Sequence, residues 1–210
     1  MDIPAGRIRF IAADRADTTV EVLPADASKS RDVKAAEQTA VAYDDGVLRI
    51  HIPESKNQLF GPSGSVEVTV QLPAGSRIEA KAASAELRGV GRLGDVSFTG
   101  AQGTVKLDET ASAHLDLQAG DVSVGRLGGS ARISTRKGDL RITEAVHGTV
   151  TLRTEHGDIS VGTARGTSAS LDAGITYGRV HNALTNTDGA AAGLNIHATT
   201  AYGDITARSL

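Results

Sequence analysis

Three aspartates offer the first candidate chemistry in this 210-residue chain. Asp121, Asp139 and Asp158 each follow a glycine, in Gly120-Asp121-Val122-Ser123-Val124, Gly138-Asp139-Leu140-Arg141-Ile142 and Gly157-Asp158-Ile159-Ser160-Val161. Carboxylates stacked side by side can split their proton affinities and act as acid and base on a glycosidic bond, with Asp139 and Asp158 as the pair. A column of them can also ligate calcium, but nonapeptide β-rolls carry several glycines and an aspartate in each turn, and this phrase has one glycine. The third use of a corner aspartate is to cap the turn's own backbone, and that is the use expected here.

Other motifs point to less. Gly89-Val90-Gly91-Arg92-Leu93-Gly94 fits the dinucleotide fingerprint. That fingerprint needs a helix after its last glycine, and Asp95-Val96-Ser97-Phe98 reads as a strand. The histidines, His51, His114, His147, His156, His181 and His197, lack the close spacing of a zinc site. His147 and His156 precede corner glycines and read as exposed corner residues. There is no nucleophile elbow, P-loop or HExxH motif. No catalytic residue, metal or cofactor is expected.

The elements that position these residues follow from two periods. Within each phrase the aliphatics fall two residues apart, the alternation of a strand with one buried face. Offset half-copies, Gly129-Ser130-Ala131-Arg132-Ile133 and Gly148-Thr149-Val150-Thr151-Leu152, lie between the full ones, so each winding takes two strands and two corners in 17 to 19 residues. Connections this short exclude crossover helices. A unit this small cannot bury its apolar side alone and must stack on its neighbours. The fold class expected is all-β: a single-stranded parallel β-solenoid, right-handed by the general rule for parallel connections. Val105/Leu107, Val122/Val124, Leu140/Ile142 and Ile159/Val161 face inward on one wall. Val96/Phe98, Ala113/Leu115, Ala131/Ile133, Val150/Leu152 and Ala169/Leu171 face them from the other. Three Phe, three Tyr and no Trp agree with a thin core built without bulky aromatics.

Residues 1–73 lack the tight period and read as broader β-rich windings that cap the stack, continuous with a regular solenoid over 74–210 in one structural domain. Gly6-Arg7-Ile8-Arg9-Phe10 resembles a first copy of the phrase. The segment from Ser28 to Gln38 is the one short helix expected, with Ser30 or Asp32 as its cap. Asp44-Asp45-Gly46 between two apolar runs signals a hairpin. Near the far end Tyr177-Gly178 and Tyr202-Gly203 are twin phrases whose tyrosines should pack together as caps.

The net charge of −3 carries no footprint of nucleic acid. There is no cysteine, and no apolar run long enough for a signal peptide or membrane span, so the chain as given reads as cytoplasmic.

Taken together, Ala13-Asp14-Arg15, Val20-Glu21-Val22, Pro24, Asp32 to Glu37, Val68 to Ser76, the Gly-Asp repeats, Val180-His181-Asn182 and Tyr202-Gly203-Asp204-Ile205 resemble the family of domains of unknown function known as putative adhesins, in its actinobacterial form. The resemblance implies a β-solenoid, and some family members are tied to envelope-stress responses. It implies no catalytic motif.

A non-enzymatic interaction or scaffold protein is therefore the leading reading, with an unknown protein as partner. The alternatives are a carbohydrate-active β-helix and a rod that associates end to end. Candidate contact residues are Leu59 and Phe60 in the loop after Pro53, and the outward residues Ser123, Arg141 and Ser160 on one wall and Arg132 on the other. The outward ladders expected are Lys106, Ser123, Arg141, Ser160 and His181, and Ser97, His114, Arg132, Thr151 and Ser170.

Overall fold

Alternating buried and exposed residues set the strands, and glycines at positive φ set the corners between them. The computed structural model describes residues 1–53 and 64–210. In chain order the elements begin with β1 (Asp2–Ala13), β2 (Thr19–Pro24), α1 (Ser30–Gln38), β3 (Ala40–Asp44), β4 (Val47–His51) and β5 (Val66–Pro73). The long strand β6 (Ile78–Gln102) follows, then β7 (Val105–Ala119), β8 (Val122–Leu127), β9 (Ala131–Ser134) and β10 (Leu140–Ala145). The chain ends with β11 (Gly148–His156), β12 (Ile159–Thr163), β13 (Ala169–Tyr177), β14 (Val180–Ala183), a 3-10 turn at Gly189–Ala191, β15 (Leu194–Tyr202) and β16 (Ile205–Ser209). All the strands join one mixed sheet. Its pairings are parallel except β2 on β5 and β3 on β4, which are antiparallel.

Two walls of this sheet enclose the core. On one, Val105 lies beside Val122, Val122 beside Leu140 and Leu140 beside Ile159. On the other, Val96 lies beside Ala113, Ala113 beside Ala131 and Ala131 beside Val150. These aliphatics are buried, as the two-residue alternation predicts.

Order in space departs from order in sequence at both ends. Strand β1 lies between β5 and β6: Ile8 is flanked by Val68 and Leu87. Gly6 therefore belongs inside the stack rather than at its front. At the other end, β15 and β16 lie between the β11–β12 rung and the β13–β14 rung. Ile205 separates Ile159 from Val180. The rung formed by β13 and β14 is outermost, and the chain folds back to fill the place beneath it. The register of β13 also differs from that expected: Leu171 aligns through Ile196 with Val150, and Ala173 through Ala198 with Leu152. This two-residue slip keeps the same face inward.

The opposite end is covered. The antiparallel strand β2 flanks β5, and α1 packs against both. The residue before α1 is Lys29, and no side chain caps the helix. Asp32, expected as a cap, is buried and accepts the Ser65 amide at 2.9 Å. The hairpin β3–β4 turns through Asp45 and Gly46, both at positive φ. Among the described residues, no helix is long and apolar enough to cross a membrane.

Candidate interaction surfaces

The repeated corner accounts for the aspartates. In each rung the glycine places its Cα against the carbonyl of the rung before, so that a Cβ on Gly138 would stand 2.1 Å from the Gly120 oxygen. The glycine amide donates across to the next rung: Gly138 to His156 and Gly157 to Tyr202, each at 2.9 Å. Outside this column, Oδ1 of Asp121, Asp139 and Asp158 accepts the amides of Asp139, Asp158 and Asp204 at 2.8 Å. Inside it, the buried hydroxyls of Thr154 and Thr200 donate to the carbonyls of Gly138 and Gly157 at 3.1 and 3.0 Å.

The corner unit is thus Thr-x-x-Gly-Asp, seen at Thr135-Gly138-Asp139, Thr154-Gly157-Asp158 and Thr200-Gly203-Asp204. Asp139 and Asp158 are partly committed to holding corners. Among the described residues, no group of three or more His, Asp or Glu side chains gathers as metal ligands.

The fingerprint-like glycines are explained by the same close packing. Gly89 to Gly94 lie within β6, and a Cβ on Gly91 or Gly94 would meet the carbonyl of Ala12 or Gly75 at 2.2 or 2.3 Å.

The expected outward ladders are present, with changes. On one wall Lys106, Ser123, Arg141 and Ser160 are successive rungs, and Thr206 intervenes before His181. This ladder also extends backwards, because the insertion of β1 sets Arg9 beside Arg88 and Arg88 beside Lys106. Three cations on consecutive rungs repel one another, and Asp108 pairs with Arg88 within the group. On the other wall the order is Ser97, His114, Arg132, Thr151, His197 and Asp172, so Ser170 falls in the neighbouring column beside Asn195. Arg132 is not gathered with Ser123, Arg141 and Ser160. Leu59 and Phe60 lie outside the described residues.

The chain matches the Toastrack DUF4097 family model over residues 88–208. The chain belongs to this family. A crystal structure of a putative adhesin from Bacteroides fragilis aligns with a TM-score of 0.55 at 16% identity, covering 98% of this chain and 90% of that one. A crystal structure of a putative cell adhesion protein from Clostridium sporogenes aligns with a TM-score of 0.41 at 10% identity, covering 100% of this chain and 91% of that one. No curated protein matches. The Toastrack match begins at Arg88, within β6, and so takes in every full Gly-Asp phrase.

Ahead of the Toastrack match lies a groove of about 1100 Å³ between the β3–β4 hairpin and strands β1, β5 and β6. Its floor is apolar, with Phe10, Ile50, Leu72 and Ile78. Tyr43, Arg49, Arg77 and Lys81 bring an aromatic ring and positive charge to its lining, with Asp2 and Glu79 among them. The hairpin meets β1 in register at Asp2 and His51, and Ile50 anchors it in the core beside the groove.

Two further columns involve the histidines. His156, Tyr202 and Tyr177 stack ring on ring, with centroids 4.9 and 5.0 Å apart, as expected for the two tyrosines. His197 sits 3.2 Å from Asp172.

Proposed function

We propose that this chain is a non-enzymatic recognition body that engages another protein through its N-terminal groove. The observation that carries this reading is the use of the corner carboxylates. The acid–base pair that a glycosidase reading requires, Asp139 and Asp158, spends Oδ1 of each residue on a neighbouring amide at 2.8 Å. The groove offers what recognition of a protein segment needs: an apolar floor, an exposed tyrosine and a positive rim. The Bacteroides fragilis structure of similar fold is named a putative adhesin, which agrees with a surface that binds.

The two portions of the chain, 1–73 and 74–210, act here as one body, since β1 lies between β5 and β6. We take the winding as a right-handed parallel solenoid on the general preference for such connections, and we place the chain with the actinobacterial form of its family on the phrases it carries.

The test is partner capture from the native cell with wild type and with the Tyr43→Ala/Arg77→Glu double variant. A specific partner held by wild type and lost from the variant supports the reading. Equal capture by both moves the contact away from the groove. Polysaccharide turnover that disappears in Asp139→Asn would replace recognition with catalysis.

A further inference from the structure

We propose that the β13–β14 rung is a self-association surface, through which two copies join by a two-fold axis into a closed dimer that cannot extend into a filament. This surface lies at the opposite end from the groove and does not depend on the reading given to it.

Both strands of this rung are paired on one side only, β13 with β15 and β14 with β16. Among the described residues their outer edges are otherwise free, except at the start of β13, where the Ala169 amide donates to the Thr185 carbonyl at 3.1 Å, and a free edge is a template for further pairing. The apolar row is equally incomplete. Val180 is 43% exposed, whereas Ile205, its neighbour one rung in, is 1% exposed. Leu171, Ala173 and Ile175 are only partly buried, whereas Ile196, Ala198 and Thr200 beside them are buried. One more rung would complete the core.

The sequence of the rung is altered in the direction that contact with an apolar partner requires. The three rungs that precede it in the stack, with corners at Gly138, Gly157 and Gly203, place a buried threonine three residues before the corner glycine. Here the residue is Ile175, in Ile175-Thr176-Tyr177-Gly178. The same three rungs place an aspartate after the glycine. Here it is Arg179, which pairs with Asp204 at 3.0 Å and leaves its side chain 88% exposed. An aspartate at this position would add a carboxylate with no further amide to accept.

Geometry then favours a second copy over a lone strand. The rung presents two strands running in opposite directions, joined by the tight corner at Gly178. A two-fold axis along the strands lays β13 of each copy antiparallel on β14 of the other, with core over core and corner over corner. The same operation carries Arg179 of one copy over Tyr177 of the other. One face of the Tyr177 ring is stacked on Tyr202 and the residue is 63% exposed, which leaves the ring's other face to receive the guanidinium. At the far end of the stack, α1 and the antiparallel strand β2 cover the edge. A two-fold contact uses the same patch on both copies, so the assembly closes at two.

The strands contribute 9 and 4 residues a side, fewer than the roughly 20 to 30 of a standard interface. The dimer should therefore dissociate on dilution in the micromolar range.

Sedimentation velocity over micromolar to submillimolar concentrations tests the proposal on the whole chain. The expected result is a monomer–dimer equilibrium whose dissociation constant rises about tenfold or more in Val180→Lys and is unchanged in Tyr43→Lys, on the remote hairpin. Near-ultraviolet dichroism of the Tyr177–Tyr202 stack reports whether the rung stays docked. If Val180→Lys loses that signal, Arg179→Ala carries the test, since its exposed side chain can be removed while its amide still meets Asp204. A monomer at every concentration, growth beyond two copies, or a dimer indifferent to the variant that keeps its rung docked overturns the proposal.

Discussion

The main-chain amide of Asp158 donates to Oδ1 of Asp139 at 2.8 Å, and the amide of Asp139 donates to Asp121 in the same way. Each carboxylate is thus a strut between rungs, tying one corner to the next from the solvent side while a threonine hydroxyl ties it from the core side. The corner is a place where this chain needs side chains for its own geometry. The regularity that draws attention to the aspartates comes from that need.

Asp139→Ala should cost about 1 kcal/mol, the usual net worth of one hydrogen bond, and Asp139→Asn should cost much less, since the amide oxygen can still accept. Urea melts monitored in the far ultraviolet would check the order. An alanine variant as stable as wild type, with asparagine destabilised, would remove the strut role.

Gly138→Ala meets the Gly120 carbonyl at 2.1 Å and must hold an L side chain at φ +146. Backbone strain and the clash together should cost about 3 kcal/mol or more. Gly166 has φ +76 with nothing within 4 Å of its added Cβ, so Gly166→Ala should lose only about 1 kcal/mol. Comparable losses in thermal melts would mean that the corner column is looser than its geometry implies.

Period and face were legible in the sequence because aliphatic alternation and corner glycines are local signals. Rung order was not. The phrases at Gly178 and Gly203 are near twins, and either could stack on Gly157. Which one does depends on the connections through 164–168 and 184–193, and these carry no periodic signal. The same holds for Gly6, whose neighbours Val66 and Ala85 lie far along the chain. The cation run Arg9, Arg88 and Lys106 was hidden for that reason. Thr135, Thr154 and Thr200 each stand three residues before a Gly-Asp pair, but a lone polar residue inside an aliphatic row carries no signal of its own. The groove is assembled from β1, β4, β5 and β6, and no single stretch of sequence announces it.

Acid should loosen the outermost rung. The Arg179 amide first, and its guanidinium second, hold the Asp204 carboxyl below its ordinary 3.8. A carboxyl whose folded pKa is depressed contributes stability that is fully present above the unfolded value and is lost as pH falls through the folded one. The near-ultraviolet signal of the tyrosine stack should therefore hold down to about pH 4 and weaken below it, and Arg179→Ala, which keeps the amide and removes the guanidinium, should reduce that dependence without abolishing it. A signal that strengthens on acidification would contradict the linkage.

The inward and outward assignment meets its sharpest test at two adjacent residues of β10. Ile142 is 1% exposed, between Val124 and Val161 in the core, whereas Arg141 faces solvent between Ser123 and Ser160. Ile142→Asp forces a charge into a dry interior and should cost about 4 kcal/mol or more, enough to unfold the central rungs. Arg141→Asp should change stability by about 0.5 kcal/mol or less, since surface substitutions rarely do more. Because a strand alternates faces at every residue, a one-residue error in register would exchange the two outcomes. Thermal melts in which Arg141→Asp unfolds the chain and Ile142→Asp does not would therefore turn every rung inside out.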